Sequence, residues 1–221
     1  CGFDLTDVQG IDPALDERGQ AGNIARHIGV ANINDLISAR DLERAVPQVI
    51  GLLDEPRVGQ SYPNYYAAKL ASKYVKVVLS GTGGDELFGG YPWRYPLEDL
   101  SWNEGLKWHF DTWQRLLDYD NLRRVLGPLE MELRQFDAPS IHQELLNRSR
   151  SIQNDVGEAS WTAIAMNFEA NTFLPGLLDV EDRISMSFGL ETRLPLLENN
   201  FVDFICGNFD RLRLTEAGAD P

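Results

Sequence analysis

The 221-residue sequence predicts an α/β protein: a parallel, doubly wound sheet in residues 1–95, followed by a mostly helical region over 96–221. Three observations carry this. Segments of helical periodicity alternate with short strand-like runs as far as Tyr91. The run Val77-Val78-Leu79 is apolar on consecutive residues, as expected of a strand covered on both faces of a parallel sheet. Beyond Tyr91 come Pro92, Pro96, a concentration of tryptophans (Trp93, Trp102, Trp108, Trp113, Trp161) and no further alternation.

The chain opens on Cys1-Gly2-Phe3-Asp4, which reads as the tail of a strand with a small buried thiol. Residues 16–28 place Ala21, Ile24, Ala25 and Ile28 at helical spacing, and Gly29 provides a stop. Ser38 and Asp41 have the spacing of a capping pair for a helix over 39–53. Its apolar positions Leu42, Ala45, Val46, Val49, Ile50 and Leu53 fall on one side, and Pro47 is expected to kink or restart it. Glu55-Pro56 ends that helix, and Pro63 lies near the first turn of the next, which carries Tyr65, Leu70 and Tyr74. The strand at Val77 follows, and a ligand is expected outside the carboxyl ends of such strands. In the second region helices are expected over 102–117, 121–134, 140–148, 160–173 and 199–206. The Trp102, Leu106, Phe110, Trp113 and Leu117 spacing marks a core-facing stripe.

Charge narrows the function classes. With 34 acidic against 20 basic residues the formal net charge is −14, which argues against a nucleic-acid groove or an anionic membrane surface. Cys1 and Cys206 are the two cysteines, no 18-residue apolar run occurs and no signal-peptide pattern opens the chain, so the cytoplasm is the expected compartment.

Two stretches hold the candidate chemistry. VKVVLSGTGGDELFGGY (Val75 to Tyr91) runs from strand through a glycine-rich loop into a helix start with adjacent acids. Glycines there let a ligand approach the main chain, and the carboxylates offer hard oxygen donors for Mg²⁺. The spelling is neither a GxGxxG fingerprint nor a Walker A loop, and a tight strand-to-helix turn without a ligand satisfies it equally. DVEDRISMSFGLETRLPLLE (Asp179 to Glu198) mixes Asp182, Arg183, Glu191 and Arg193 with apolar residues, so these charges are expected to approach a buried setting. They serve there either as a structural ion-pair cluster or as an anion clamp.

Together these stretches resemble the synthetase domain of glutamine-dependent asparagine synthetase and its amide-forming relatives. SGTGGDELFGGY (Ser80 to Tyr91) is similar to the family's SG[ED]G.DE.FGGY loop, and DRISMSFGLETRLPLLE (Asp182 to Glu198) to its D..SM....E.R.PFLD segment. CGFD with the DER helix resembles the strand and helix that follow the family's pyrophosphatase loop. The resemblance covers most of the chain. It implies an adenine nucleotide α hydrolase-like sheet, with ATP and Mg²⁺ as cofactors. It also implies a small carboxylate substrate, aspartate in the first instance, attacked by ammonia from a glutaminase domain. Nucleotide contacts are implied for Ser80, Gly81, Gly83 and, through its main chain, Cys1; a Mg²⁺ ligand for Asp85; and catalytic positions for Thr82, Glu191 and Arg193.

Two departures qualify it. The family's SGGLDS phosphate loop and a later lysine are absent from the 221 residues, so an internal piece, inactive alone, is expected. Thr82 stands where the family places Glu or Asp, and a hydroxyl cannot act as a carboxylate base. That leaves open a sugar or other carboxylate as acceptor, or a degenerate member that binds nucleotide or a partner without ligation.

Overall fold

The computed structural model describes residues 2–3, 17–54, 61–95, 100–114, 119–129, 131, 137–154 and 160–208. They fall into two compact units, residues 1–80 with 177–195, and residues 81–176 with 196–221.

The first unit has two parallel strand pairs and the helices expected beside them. β1 (Gly2–Phe3) lies parallel to β2 (Leu36–Ile37), with Gly2 opposite Leu36. Between them runs α1 (Arg18–Ile28), which Gly29 ends in the left-handed conformation with its N–H on the Ala25 carbonyl. α2 (Ala39–Leu53) starts on the expected capping box: the Ser38 N–H donates to Asp41 Oδ2 at 2.9 Å and its hydroxyl at 2.6 Å. Those hydrogen bonds hold the Asp41 carboxyl below the usual carboxylate range. Pro47 does not interrupt the helix. Its face is exposed, so water can satisfy the carbonyl that loses its amide partner.

α3 (Ser61–Ala71) packs on α2, and the Tyr66 hydroxyl donates to the Asp41 carbonyl at 2.9 Å. The core joins Ala45, Val49 and Leu53 of α2 and Ala68 of α3 to Val180, Ile184 and Leu190. β3 (Val77–Leu79) pairs in parallel with β4 (Glu191–Arg193), Val77 opposite Glu191 and Leu79 opposite Arg193. Parallel pairing is thus as expected, in two separate two-stranded sheets among the described residues. Burial of β3 on both faces is not found: Val77 is 40% and Leu79 73% exposed. Among the described residues β3 has a single strand neighbour and Val78 is its residue that packs against the core, so alternation rather than a doubly covered run describes it.

The second unit contains α4 (Gly84–Phe88), α5 (Trp102–Trp113), α6 (Tyr119–Leu126), α7 (Ala138–Asn154), the residues to Gly176 of α8 (Trp161–Ser187), and α9 (Asn199–Gly207). α8 runs well past the expected stop at Phe173, and its Pro175 is exposed and tolerated as Pro47 is. The core of this unit gathers Leu146, Ile164 and Phe168 with Trp102, Leu106, Trp113 and Trp161, so the predicted tryptophan stripe does face the interior; Leu117 lies outside the described residues.

Trp102 and Trp161 stack at 4.7 Å, and Trp161 donates its indole N–H to the Leu100 carbonyl at 3.1 Å. Gly105 faces that ring, and a Cβ there would come within 2.1 Å of it. Gly105→Ala is therefore expected to destabilise this unit by about 1–3 kcal/mol through overpacking. That outweighs the gain of up to about 1 kcal/mol in helix propensity. Chemical denaturation followed by tryptophan fluorescence reads the difference.

Candidate functional site

The glycine-rich loop acquires its shape in the second unit. The Gly84 N–H donates to the Gly81 carbonyl at 3.1 Å, closing the turn that starts α4. Gly83 sits at φ +94°, and a Cβ on it would lie 2.4 Å from the Leu197 side chain, so both conformation and space demand glycine. The Gly90 N–H returns to the Asp85 carbonyl at 2.8 Å, and a Cβ at Gly90 would fall 2.1 Å from Asp85 Oδ1. The carboxylate of Asp85 thus rests against bare backbone.

Neighbouring residues on a helix face different ways, and here that separates the acid pair. Asp85 is exposed, and among the described residues no hydrogen bond or ion pair ties down its carboxylate. Glu86 is buried at 4% exposure and accepts the Tyr91 hydroxyl at 3.1 Å. Arg94 covers the Tyr91 ring at 4.0 Å, with Phe173 at 4.5 Å and Trp113 at 5.0 Å. Its guanidinium pairs with Glu169, which is fully buried, at 3.2 Å, and Glu169 also accepts the Tyr95 hydroxyl at 2.7 Å. Burial lifts the Glu169 carboxyl above the usual range, while Tyr95 and Arg94 pull it back. Both phenols are driven upward, first by burial and then by the carboxylates beside them, and so remain protonated donors.

In the first unit the Ser80 N–H donates to the Arg193 carbonyl at 2.9 Å, which sets Ser80 beside the end of β4. Glu191 and Arg193 form their own ion pair at 2.9 Å, with side chains 57% and 63% exposed. Arg183 pairs with Asp179 at 2.9 Å and Asp54 at 3.5 Å, and Asp182 is exposed. The expected buried setting for these charges is not found. They occupy the solvent side of α8 and β4, where such pairs contribute about 0–1 kcal/mol each.

Ser80, Glu191 and Arg193 are therefore neighbours in one unit, and Gly81, Thr82, Gly83 and Asp85 share one turn in the other; Thr82 is partly exposed. Cys1 lies outside the described residues. Arg94, Tyr95 and Glu169 were not legible as a group, because Arg94 and Glu169 stand 75 positions apart and neither belongs to a recognisable pattern.

The donor chemistry bears on Mg²⁺. No group of three acids or other metal-ligating side chains converges among the described residues. Mg²⁺ that is bound with phosphates uses one or two protein carboxylates and keeps several waters. The exposed carboxylate of Asp85 fits that role, and the buried, hydrogen-bonded Glu86 does not. Among the described residues no helix is long and apolar enough to cross a membrane.

Comparison with known proteins adds a family. The family model described as asparagine synthase matches residues 2–217. Glutamine-hydrolyzing asparagine synthetase 3 of Bacillus subtilis (strain 168) is 25% identical over 186 residues, which is 80% of this chain and 28% of that protein. Synthetase 1 of the same organism is 40% identical over 79 residues, 35% of this chain and 12% of its own length. Synthetase 2 is 29% identical over 148 residues, 66% and 18% respectively. The matches thus span between 12% and 28% of these relatives. No solved structure matches the chain.

Proposed function

Since the chain belongs to the asparagine synthase family, we propose that it is part of an ATP-dependent amide ligase. The enzyme activates a carboxylate, aspartate in the first instance, as its acyl-adenylate. Ammonia released from glutamine elsewhere in the whole protein then attacks the activated carbonyl, forming the amide and expelling AMP. The observation that carries this reading is the Asp85 carboxylate, exposed, uncommitted among the described residues and backed by Gly90, in a loop that glycines keep open.

Asp85 would hold Mg²⁺, which when bound neutralises charge on the departing pyrophosphate. Ser80, Gly81 and Gly83 would contact the nucleotide, with Cys1 at the adenine. Thr82, Glu191 and Arg193 would act on the acceptor side, where the exposed Arg193 guanidinium would exchange its Glu191 partner for the substrate carboxylate. We read the two parallel strand pairs as parts of one doubly wound sheet. Residues 1–95 would form the nucleotide-binding region, and 96–221 would complete a single synthetase domain working in the cytoplasm. Thr82 favours a second reading of the acceptor, a carboxylated sugar or another amino acid, because its hydroxyl replaces an acid at this turn.

The test uses the whole protein that carries this chain. Pyrophosphate exchange into ATP is expected to require Mg²⁺ and one carboxylate from a panel that includes aspartate and uronic acids. Absence of exchange with every carboxylate would count against the ligase. The backing of Asp85 gives a finer expectation. Gly90→Ala pushes a methyl group into the carboxylate, and it should raise the Mg²⁺ concentration for half-maximal exchange about tenfold, the scale of damage to a ligand's supporting shell.

A further inference from the structure

We propose that Arg94, Glu169 and Tyr95 act as a buried strut. It fixes Tyr91 and, through the Tyr91 hydroxyl, Glu86, and so positions the neighbouring Asp85 carboxylate for its metal. This rests on the reading of Asp85 as a Mg²⁺ ligand and assigns positioning residues that the family match does not identify.

The strut is continuous in space. Glu169 accepts from Tyr95 at 2.7 Å and from Arg94 at 3.2 Å. The Arg94 guanidinium carbon lies 4.0 Å from the centre of the Tyr91 ring, 4.5 Å from that of Phe173 and 5.0 Å from that of Trp113. Tyr91 reaches Glu86 at 3.1 Å, and the next residue back is Asp85. The charges explain why all parts are needed. Glu86 and Glu169 are two buried carboxylates within electrostatic reach of each other, and Arg94 is the cation set among them. A buried carboxylate is stable only when paired or hydrogen-bonded, so Glu86 depends on Tyr91, and Tyr91 on the guanidinium that covers it. Arg suits this place better than Lys, because one planar group serves both the aromatic face and the carboxylate. α4 is a five-residue helix of little intrinsic rigidity, so an anchor on Glu86 adds to the backing that Gly90 gives its exposed neighbour.

Binding of β,γ-imido-ATP to the whole protein, titrated with Mg²⁺ by calorimetry, tests this without turnover. Tyr91→Phe removes the hydroxyl alone, and Glu169→Gln removes the charge with its shape kept. Each is expected to raise the Mg²⁺ midpoint about tenfold. Leu146→Ala, a core truncation in the same unit away from the strut, lowers stability and should leave the midpoint unchanged. Lower stability reduces the folded fraction but not the Mg²⁺ affinity of folded molecules. Strut variants that melt earlier yet keep the wild-type midpoint would overturn the proposal. If Glu169→Gln does not fold, the Tyr91→Phe midpoint decides the matter alone. Wild-type protein that binds the analogue without any Mg²⁺ dependence overturns the metal assignment to Asp85 and the strut's purpose with it. The two failures differ in that only the second is seen without a mutation.

Discussion

Asp85→Ala is expected to lower Mg²⁺-dependent pyrophosphate exchange in the whole protein by about a hundredfold. Loss of a supporting group around a metal ligand already costs about 10–100-fold, and loss of the ligand itself belongs at the upper end. Stability should move by less than about 0.5 kcal/mol, because the side chain is exposed and makes no hydrogen bond or ion pair among the described residues. Asp85→Asn keeps the shape and removes the charge, and should lose nearly as much. Excess Mg²⁺ should restore part of the Asn variant's exchange, since its amide oxygen remains a weak donor. Unchanged exchange in the Ala variant at limiting Mg²⁺ would refute the assignment. Glu86→Gln should behave otherwise: it can still accept from Tyr91, so its effect is smaller and shared between stability and rate.

The second large effect concerns acid. His109 is fully buried, with Nδ1 2.9 Å from Nε2 of His142 and with its own Nε2 accepting the Trp113 indole N–H at 3.2 Å. The indole can only donate, so His109 carries its proton on Nδ1 and donates it to His142. Both rings are therefore neutral. Burial, and secondarily the His142 partner, push His109 down to about 3; burial pushes His142 down to about 4. The surroundings are aromatic, Phe110 against His142 and Phe168 against both, and among the described residues no carboxylate is paired with either ring.

The sign follows from proton uptake. An unfolded histidine protonates below about pH 6.5 and the folded ones do not, so the unfolded state binds more protons and stability falls with pH from about 6.5 towards 4 and 3. From pH 7 to pH 5, His109 alone should remove about 2 kcal/mol. His142, which is more open to solvent, adds less. Glu169 works in the opposite direction: its raised value makes the folded state the better proton acceptor as pH falls, which softens the acid loss. Denaturant unfolding at pH 7 and pH 5 reads the net effect. His109→Gln should start less stable and lose about 2 kcal/mol less than wild type between the two pH values. A variant with the wild-type pH dependence would show that the pair is not held neutral.

Much of the helical framework could be read from the sequence, and the reasons are local. The Ser38 and Asp41 box, the Gly29 stop and the Trp102 to Trp113 stripe each depend on residues within a few turns of one another. Where reading failed, a distant or solvent effect decided the outcome. Pro47 and Pro175 sit on exposed faces, where water can reach the carbonyl left without an amide partner, and both helices continue. Val77 and Leu79 suggested a strand buried on both faces, yet both are exposed beside a single strand neighbour among the described residues. At the site, the acid pair was evident as two carboxylates, but not that one would be open and the other buried. Helix geometry turns the two apart, and the buried one accepts the hydroxyl of Tyr91, whose ring is covered by Arg94, itself paired with Glu169 from a helix remote in sequence. The charges of the second stretch were legible as ion pairs and misleading as buried ones, because Val180, Ile184 and Leu190 turn inward while the charged residues beside them stay at the surface.

The contact between Gly83 and Leu197 has an evolutionary corollary. The two belong to the two separate sequence stretches, yet one occupies the volume that any side chain on the other would need. Position 83 cannot gain a side chain while leucine stands at 197. A lineage that acquires alanine at position 83 must shorten the residue at 197 and relax the turn. Paired substitution at these two sites, rather than change at either, is the pattern to look for among homologues.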